Sequence, residues 1–377
     1  MRELEKSCVI SGIGRSQSGR RMDVGPWTLT KDAALAAIAD AGLEVDAIDG
    51  LSSYPGAIGS TPGITGAGTA DVREMLGITT RWHTAGMELP GQLGALVNAM
   101  MAVHSGLAEH VLVFRTVWED SAQRQAGSRA AAVKSGNARE FEQWSYPYGF
   151  GYPTFGGLTM QRYFHKTGSG REQMAHFCSV LRDNSLLNPH GVFDKPLTID
   201  DYMNARMMSD PLCLFDCDMP IDGSVAFVVS RSDSTAIDRE RMLAIEAIGS
   251  SIGYEACAEM MWSRTDLKPS DIDFAQLYDG FSILAVLWME AVGLAGKGEA
   301  LHFFDGGRRI ARDGELPLNT DGGQLSAGRM HGFGYLYEAC IQLRREAGER
   351  QIAKKAESCI VTSGAGDFTS SLILRKD

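Results

Sequence analysis

A tyrosine, a carboxylate and a glycine-rich turn carry most of the chemistry this chain displays. Tyr278-Asp279-Gly280-Phe281 ends one strand signal and opens the helix signal Ser282–Val292. The C-terminal end of a parallel strand is where α/β folds place their ligands. A phenol titrates at about 10 when unperturbed, so Tyr278 needs a neighbour before it can work as a base. It can equally pack the strand end with its hydroxyl satisfied, and position alone does not separate the two. Asn319–Tyr337 reads NTDGGQLSAGRMHGFGYLY and holds five glycines. Gly323 and Gly332 let backbone approach a ligand there, and Arg329 and His331 supply polar groups. No Lys-Ser/Thr follows the glycines, so this is neither a phosphate loop nor a dinucleotide fingerprint. Ser363-Gly364-Ala365-Gly366-Asp367 turns the chain after the last core strand signal, and Gly364 either lines the site or only turns it. Cys213 and Cys217, in DPLCLFDCD, have no second Cys/His pair at zinc spacing. They read as buried structural thiols, and no metal is expected. His83 before Gly86 is a weaker candidate, and neither G-x-S-x-G nor H-E-x-x-H occurs.

Short strands alternating with helices must position these groups. Cys8–Gly14, Asp49–Tyr54, His110–Phe114 and Ser358–Thr362 read as strands; Thr28–Ala41, with Thr30 as a cap, and Gly94–His104 read as helices. That alternation predicts an α/β protein with a largely parallel sheet. The order repeats. Ala33–Ser53 runs helix, Leu43, Asp46, Ile48-Asp49, strand; Ala258–Leu277 runs helix, Leu267, Asp271-Ile272-Asp273, strand. Gly94–Phe114 and Gly334–Ser363 echo each other as helix, glycine break and strand. Two halves follow, 1–235 and 236–377, divided near Arg231–Leu243. An insertion of about 116–218 carries helix signals at Leu158–Thr167 and Arg171–Asn184. It also carries an aromatic/Gly loop, Trp144–Gly157, expected to line a site because so many aromatics seldom stay exposed.

Composition excludes several classes. The chain has 377 residues and a net charge of -11, which argues against nucleic acid or an anionic membrane as the main partner. No apolar run reaches the roughly 18 residues of a membrane span, and the run after Met1–Lys6 is too short for a signal peptide. Seven cysteines, an odd number, suit a reducing cytoplasm.

These strings resemble the thiolase superfamily over essentially the whole chain, and in particular its thiolase-like lipid-transfer branch. Where thiolases carry a Cys-x-Ser-Gly-Leu turn, this chain has Leu89-Pro90-Gly91-Gln92-Leu93, with Leu89 in place of the acyl-accepting cysteine. The N-E-A-F-A turn becomes Tyr278-Asp279-Gly280-Phe281-Ser282. The G-G…G-H-P-x-G turn becomes Gly322-Gly323…Gly328-Arg329-Met330-His331-Gly332, and the last cysteine maps near Thr362, not Cys359. YDGF together with NT-x-GGQLS-x-GR-x-HGFG is similar to the aldolases that remove steroid side chains as acyl-CoA. Asp210-Pro211-Leu212-Cys213, Asp222-Gly223 and Glu338-Ala339…Gln342-Leu343-Arg344 agree with that branch, while the stretch Gly253–Trp262 is shorter than its pattern.

The resemblance implies a thiolase fold: two pseudo-repeated βαβαβαββ halves, each with a mixed five-stranded sheet, forming a layered α-β-α-β-α sandwich, in a homodimer. It implies retro-aldol cleavage of a β-hydroxyacyl-CoA, such as a steroid side-chain thioester, to a ketone and a shorter acyl-CoA such as propionyl-CoA. No cofactor is implied, because coenzyme A belongs to the substrate. Tyr278 is then the base or proton relay with Asp279 positioning it, and His331 and Tyr335 are candidates for the enolate-side acid. Arg329, Gly323, Gly332 and Gly364 line the substrate. The implied partner is a small zinc-ribbon/OB-fold protein that holds the CoA. A thiolase or acyltransferase with a relocated nucleophile, and a non-catalytic lipid carrier or scaffold, stay open as alternatives.

Overall fold

The computed structural model describes residues 3–57, 63–86, 89–126 and 148–376. Its strands are β1 Cys8–Arg15, β2 Gly50–Ser53, β3 Trp82–Ala85, β4 His110–Trp118, β5 Met207–Ser209, β6 Leu212–Cys213, β7 Asp222–Arg231, β8 Leu243–Ser251, β9 Phe274–Gln276, β10 Ser358–Ala365 and β11 Phe368–Arg375. Nine of them form one sheet in the order β3-β2-β4-β7-β1-β8-β11-β10-β9, and β5 and β6 pair separately.

The order β2-β4-β7-β1 is mirrored by β9-β10-β11-β8, strand for strand and direction for direction. β2 and β4 are parallel, as are β9 and β10 and the edge pair β3–β2; the remaining neighbours run antiparallel. Two residue pairs, Val9–Ala244 and Ile10–Leu243, join the halves through β1 and β8. The first half has five strands as expected, but the second has four. Leu318 makes a single parallel bridge to Ala275 where the fifth would lie. Pro317 brings no N–H to the ladder, and the chain bends away at Asn319, whose φ is 42°, so pairing stops after one residue.

Both faces of the first-half sheet are covered, which is why β4 and β7 are nearly continuous runs of apolar residues. Leu112, Phe114, Ala226 and Val228 face Ala33, Ala34, Ala37 and Ile38 of the helix Pro26–Asp40. Val111, Val113, Phe227 and Val229 face the opposite way, toward the helices Gly94–His104 and Phe333–Leu343. The sequence places one cap wrongly. Pro26 starts its helix earlier than expected, with Gly25 at the cap, so Thr30 lies inside and donates to Pro26 O at 2.8 Å.

The insertion forms the helices Tyr152–Thr167 and Arg171–Leu186. Residues 144–147 of the aromatic loop lie outside the described residues, and Tyr152–Gly157 is helical rather than loop. Its aromatics are not buried as expected: Tyr148 and Tyr152 are 81% and 80% exposed. The second helix props the glycine-rich turn. Asn184 Nδ2 donates to Leu318 O at 3.3 Å and Asn319 O at 3.2 Å, and Ser185 Oγ donates to Ser326 O at 2.8 Å.

Candidate active site

Four turns meet at the C-terminal ends of the strands. Tyr278 follows β9, and its backbone N–H donates to Thr362 Oγ1 on β10 at 2.9 Å. The Tyr278 ring folds back over Gly280, where a Cβ would lie 2.9 Å from the ring. Burial pushes the phenol up, with the nearby charge of Asp218 adding to it, so Tyr278 stays neutral at physiological pH. As it stands it is a proton donor or relay rather than a free base.

Asp279 is fully buried and works on the other side of the strand end. It accepts hydrogen bonds from Tyr335 Oη, from Gln324 N at 2.8 Å and from Asn319 Nδ2 at 3.2 Å. Tyr335 is therefore occupied, and its hydroxyl also accepts from Asp279 N at 3.0 Å. Burial outweighs these donors and pushes the Asp279 carboxyl up to about 7. Gly323 permits this packing, because a Cβ there would sit 2.0 Å from Asp279 Oδ2.

A second cluster surrounds Arg329 and His331. Glu119, immediately after β4, is 4% exposed. Its carboxylate accepts from the Arg329 guanidinium and from His331 Nε2, the latter at 2.9 Å. Arg329 Nη1 also pairs with Asp218 Oδ1 at 3.0 Å. Burial opposes ionisation of Glu119, but the His331 hydrogen bond and the charges of Arg329 and Arg115 outweigh it and hold the group down at about 2. Burial holds His331 down at about 4, against the pull of Glu119 and with Arg115 and Arg329 adding to the effect. At neutral pH this is an ionised carboxylate beside a neutral imidazole. Asp218 is pushed up to about 6 by burial. Gln324 links the clusters: its Oε1 accepts from His331 N at 2.8 Å, and its buried amide lies against the Tyr278 hydroxyl.

The remaining turns close the floor. Ser363 Oγ donates to Gln92 Oε1, and Gly332 lies so close to Ser363 that a Cβ would meet its Oγ at 2.3 Å. Gly364 has φ +81°, and a Cβ there would meet Phe368 O at 1.7 Å. Leu89 is partly buried against the core. The cysteines are all free thiols. Burial pushes Cys213 up to about 11 and Cys217 up to about 12, and raises Cys359 as well, so none offers a thiolate nucleophile at neutral pH. Among the described residues no group of His, Cys, Asp and Glu could hold a metal ion.

Tyr278, His331 and Arg329 thus meet in one place, whereas Asp279 serves Tyr335 instead of the Tyr278 hydroxyl. Arg329 is spent on two carboxylates. Gly323, Gly332 and Gly364 let the turns pack on one another. His83 is exposed on the edge strand β3. Glu119, Asp218, Gln324 and Gln92 were not singled out by their sequence. For Glu119 a signal existed: β4 runs on to Trp118, past Phe114, which puts an acidic residue at a strand end in the midst of the site.

Residues 232–375 match the family described as "Thiolase C-terminal domain-like". The chain is 30% identical over 394 residues to "17-hydroxy-3-oxo-4-pregnene-20-carboxyl-CoA lyase" of Mycobacterium tuberculosis, covering 98% of this chain and 100% of that one. It is 30% identical over 400 residues to "Steroid side-chain-cleaving aldolase" of Thermomonospora curvata, covering 100% of each. Among solved structures, "Ltp2-ChsH2(DUF35) aldolase" superposes with a TM-score of 0.86 at 29% identity, over 99% of both chains. The chain belongs to the thiolase superfamily, in its thiolase-like lipid-transfer branch of the steroid side-chain-cleaving aldolase type.

Proposed function

We propose that this enzyme, a carbon–carbon lyase, cleaves a steroid side-chain β-hydroxyacyl-CoA by a retro-aldol reaction. The β-hydroxyl proton leaves as the Cα–Cβ bond breaks. That bond's electron pair passes into the thioester enolate, and the hydroxyl carbon becomes a ketone. Protonation of the enolate at Cα then releases a shorter acyl-CoA, such as propionyl-CoA. The observation that carries this reading is the content of the four turns. They gather a neutral phenol and a carboxylate-held imidazole, while the nearest thiols stay protonated. Tyr278 relays the proton, and His331 is its exchange partner; Tyr335 acts behind them through Asp279 instead of touching substrate. Burial in a low-dielectric site strengthens every donor aimed at the developing enolate.

The reading includes halves at 1–235 and 236–377, a homodimer, no cofactor beyond the substrate's own coenzyme A, and a cytoplasmic location. It also includes a small zinc-ribbon/OB-fold partner that holds the CoA. Two features support such a partner: the likeness to an aldolase whose structure is named as a complex, and the exposed Tyr148 and Tyr152. No helix among the described residues is long and apolar enough to cross a membrane. The test is product analysis of the purified complex with a steroid β-hydroxyacyl-CoA. The reading expects equimolar ketone and shorter acyl-CoA, abolished in Tyr278→Phe; a Tyr278→Phe variant with unchanged turnover rules out the relay.

A further inference from the structure

The carboxylate next to His331 has no part in the roles assigned so far, yet the site is built around it. Glu119 opens the helix Glu119–Ala126, and its backbone N–H donates to Ile221 O at 3.2 Å, which ties it to the strand ends. One carboxylate oxygen faces Arg329 and the other faces His331 Nε2 at 2.9 Å. An ionised carboxylate can only accept, so Nε2 must carry the proton. A neutral imidazole protonated at Nε2 has its lone pair at Nδ1. That atom makes no hydrogen bond to any described residue, and the side chain is 15% exposed. The ring is anchored from behind as well. His331 has φ +48°, a left-handed conformation that non-glycine residues seldom adopt, and its N–H is held by Gln324.

We propose that Glu119 is a positioning residue that holds His331 as the Nε2–H tautomer, leaving Nδ1 as the proton acceptor for carbon–carbon cleavage. The inference rests on the retro-aldol reading only for what the proton transfer accomplishes; the tautomer itself is independent of substrate. The charged groups facing the ring are Glu119, Arg329 and Arg115, with Asp218 beyond Arg329. Two cations against two carboxylates keep Glu119 ionised without protonating His331. An analogous carboxylate–imidazole arrangement sets the histidine tautomer in serine proteases, where replacing the carboxylate by its amide costs about 10⁴ in kcat. In Glu119→Gln, the amide oxygen stays with Arg329 and the NH2 turns to Nε2. That forces the proton onto Nδ1 and removes the acceptor.

The test is nitrogen NMR of protein labelled with ¹⁵N-imidazole histidine at neutral pH, with the His331 signal assigned by its loss in His331→Gln. The proposal expects a neutral ring protonated at Nε2 in the wild type and at Nδ1 in Glu119→Gln. It expects kcat to fall by about 100-fold or more, with KM within about threefold and the acidic limb of the pH profile shifted. Glu119→Asp keeps the tautomer and recovers at least about tenfold of the loss. A wild-type His331 that is charged or protonated at Nδ1 overturns the proposal, and that measurement decides it even if Glu119→Gln does not fold. So does a folded Glu119→Gln with wild-type kcat. A wild-type enzyme that shows the expected tautomer but releases no ketone counts against the retro-aldol reading, not against Glu119's hold on the ring.

Discussion

Burial decides what each group at this site can do. Tyr278 is raised by burial and its hydroxyl lies against the Gln324 amide, so Tyr278→Phe should cost stability no more than that one hydrogen bond, about 1 kcal/mol. Its kcat should fall by about 100-fold or more, the usual contribution of a positioned proton donor, as read by steady-state kinetics beside a thermal melt. Asp279 makes a different prediction. Its folded pKa of about 7 lies above the ordinary 3.8, so the folded state binds the extra proton. The stability it contributes is complete below about pH 4 and is lost as pH rises through 7, by up to roughly 4 kcal/mol. Asp279→Asn should remove that dependence: its stability relative to wild type improves from pH 5 to pH 8 in denaturant titrations. A variant whose stability relative to wild type falls over that range contradicts the assignment. Residue types at this scale were legible, because Tyr278, Arg329 and His331 stand in distinctive strings. Their partners were not. Glu119 lies 212 positions from His331, and Asp279 reaches Tyr335 across 56, distances over which no local pattern speaks.

At the scale of elements, the turns work because backbone passes where side chains cannot. Gly364 combines a left-handed φ with a neighbouring carbonyl 1.7 Å from where a Cβ would be, and Trp288 Nε1 donates to its carbonyl at 2.9 Å. Gly364→Ala should therefore cost more than the roughly 1 kcal/mol of a strained αL position, visible as a lower unfolding midpoint together with lost turnover. Helix and strand positions followed from periodicity: Gly94–His104 was read to the residue, and β10 differs only in its C-terminal extension. The aromatic stretch was misread because bulky rings were taken as a sign of burial. In a helix whose surroundings are chosen by tertiary packing, ring content does not say which way Tyr152 points. The cap at Thr30 failed for a local reason, since Pro26 offers a better first turn than Thr30 offers a cap.

Over the whole molecule, the duplication was legible because helix, spacer and strand recur in order, and strand order and direction now repeat likewise in the sheet. The missing fifth strand of the second half was not, because a run as short as Leu316–Asn319 looks the same whether it pairs once or four times. If the small CoA-holding partner completes the enzyme, turnover by the chain alone should be at least about tenfold below that of the complex at equal substrate, mainly through KM; equal rates with and without it remove the partner from the account. The central claim is retro-aldol cleavage without an acyl-enzyme. It is tested most directly by running the reaction in D2O with a substrate ¹⁸O-labelled at the β-hydroxyl and weighing both products. Retro-aldol chemistry predicts that the ketone keeps the ¹⁸O, that the released acyl-CoA gains one deuterium at Cα, and that no free CoA is consumed. Consumption of one CoA per turnover, or an acyl group trapped on a cysteine, would contradict it.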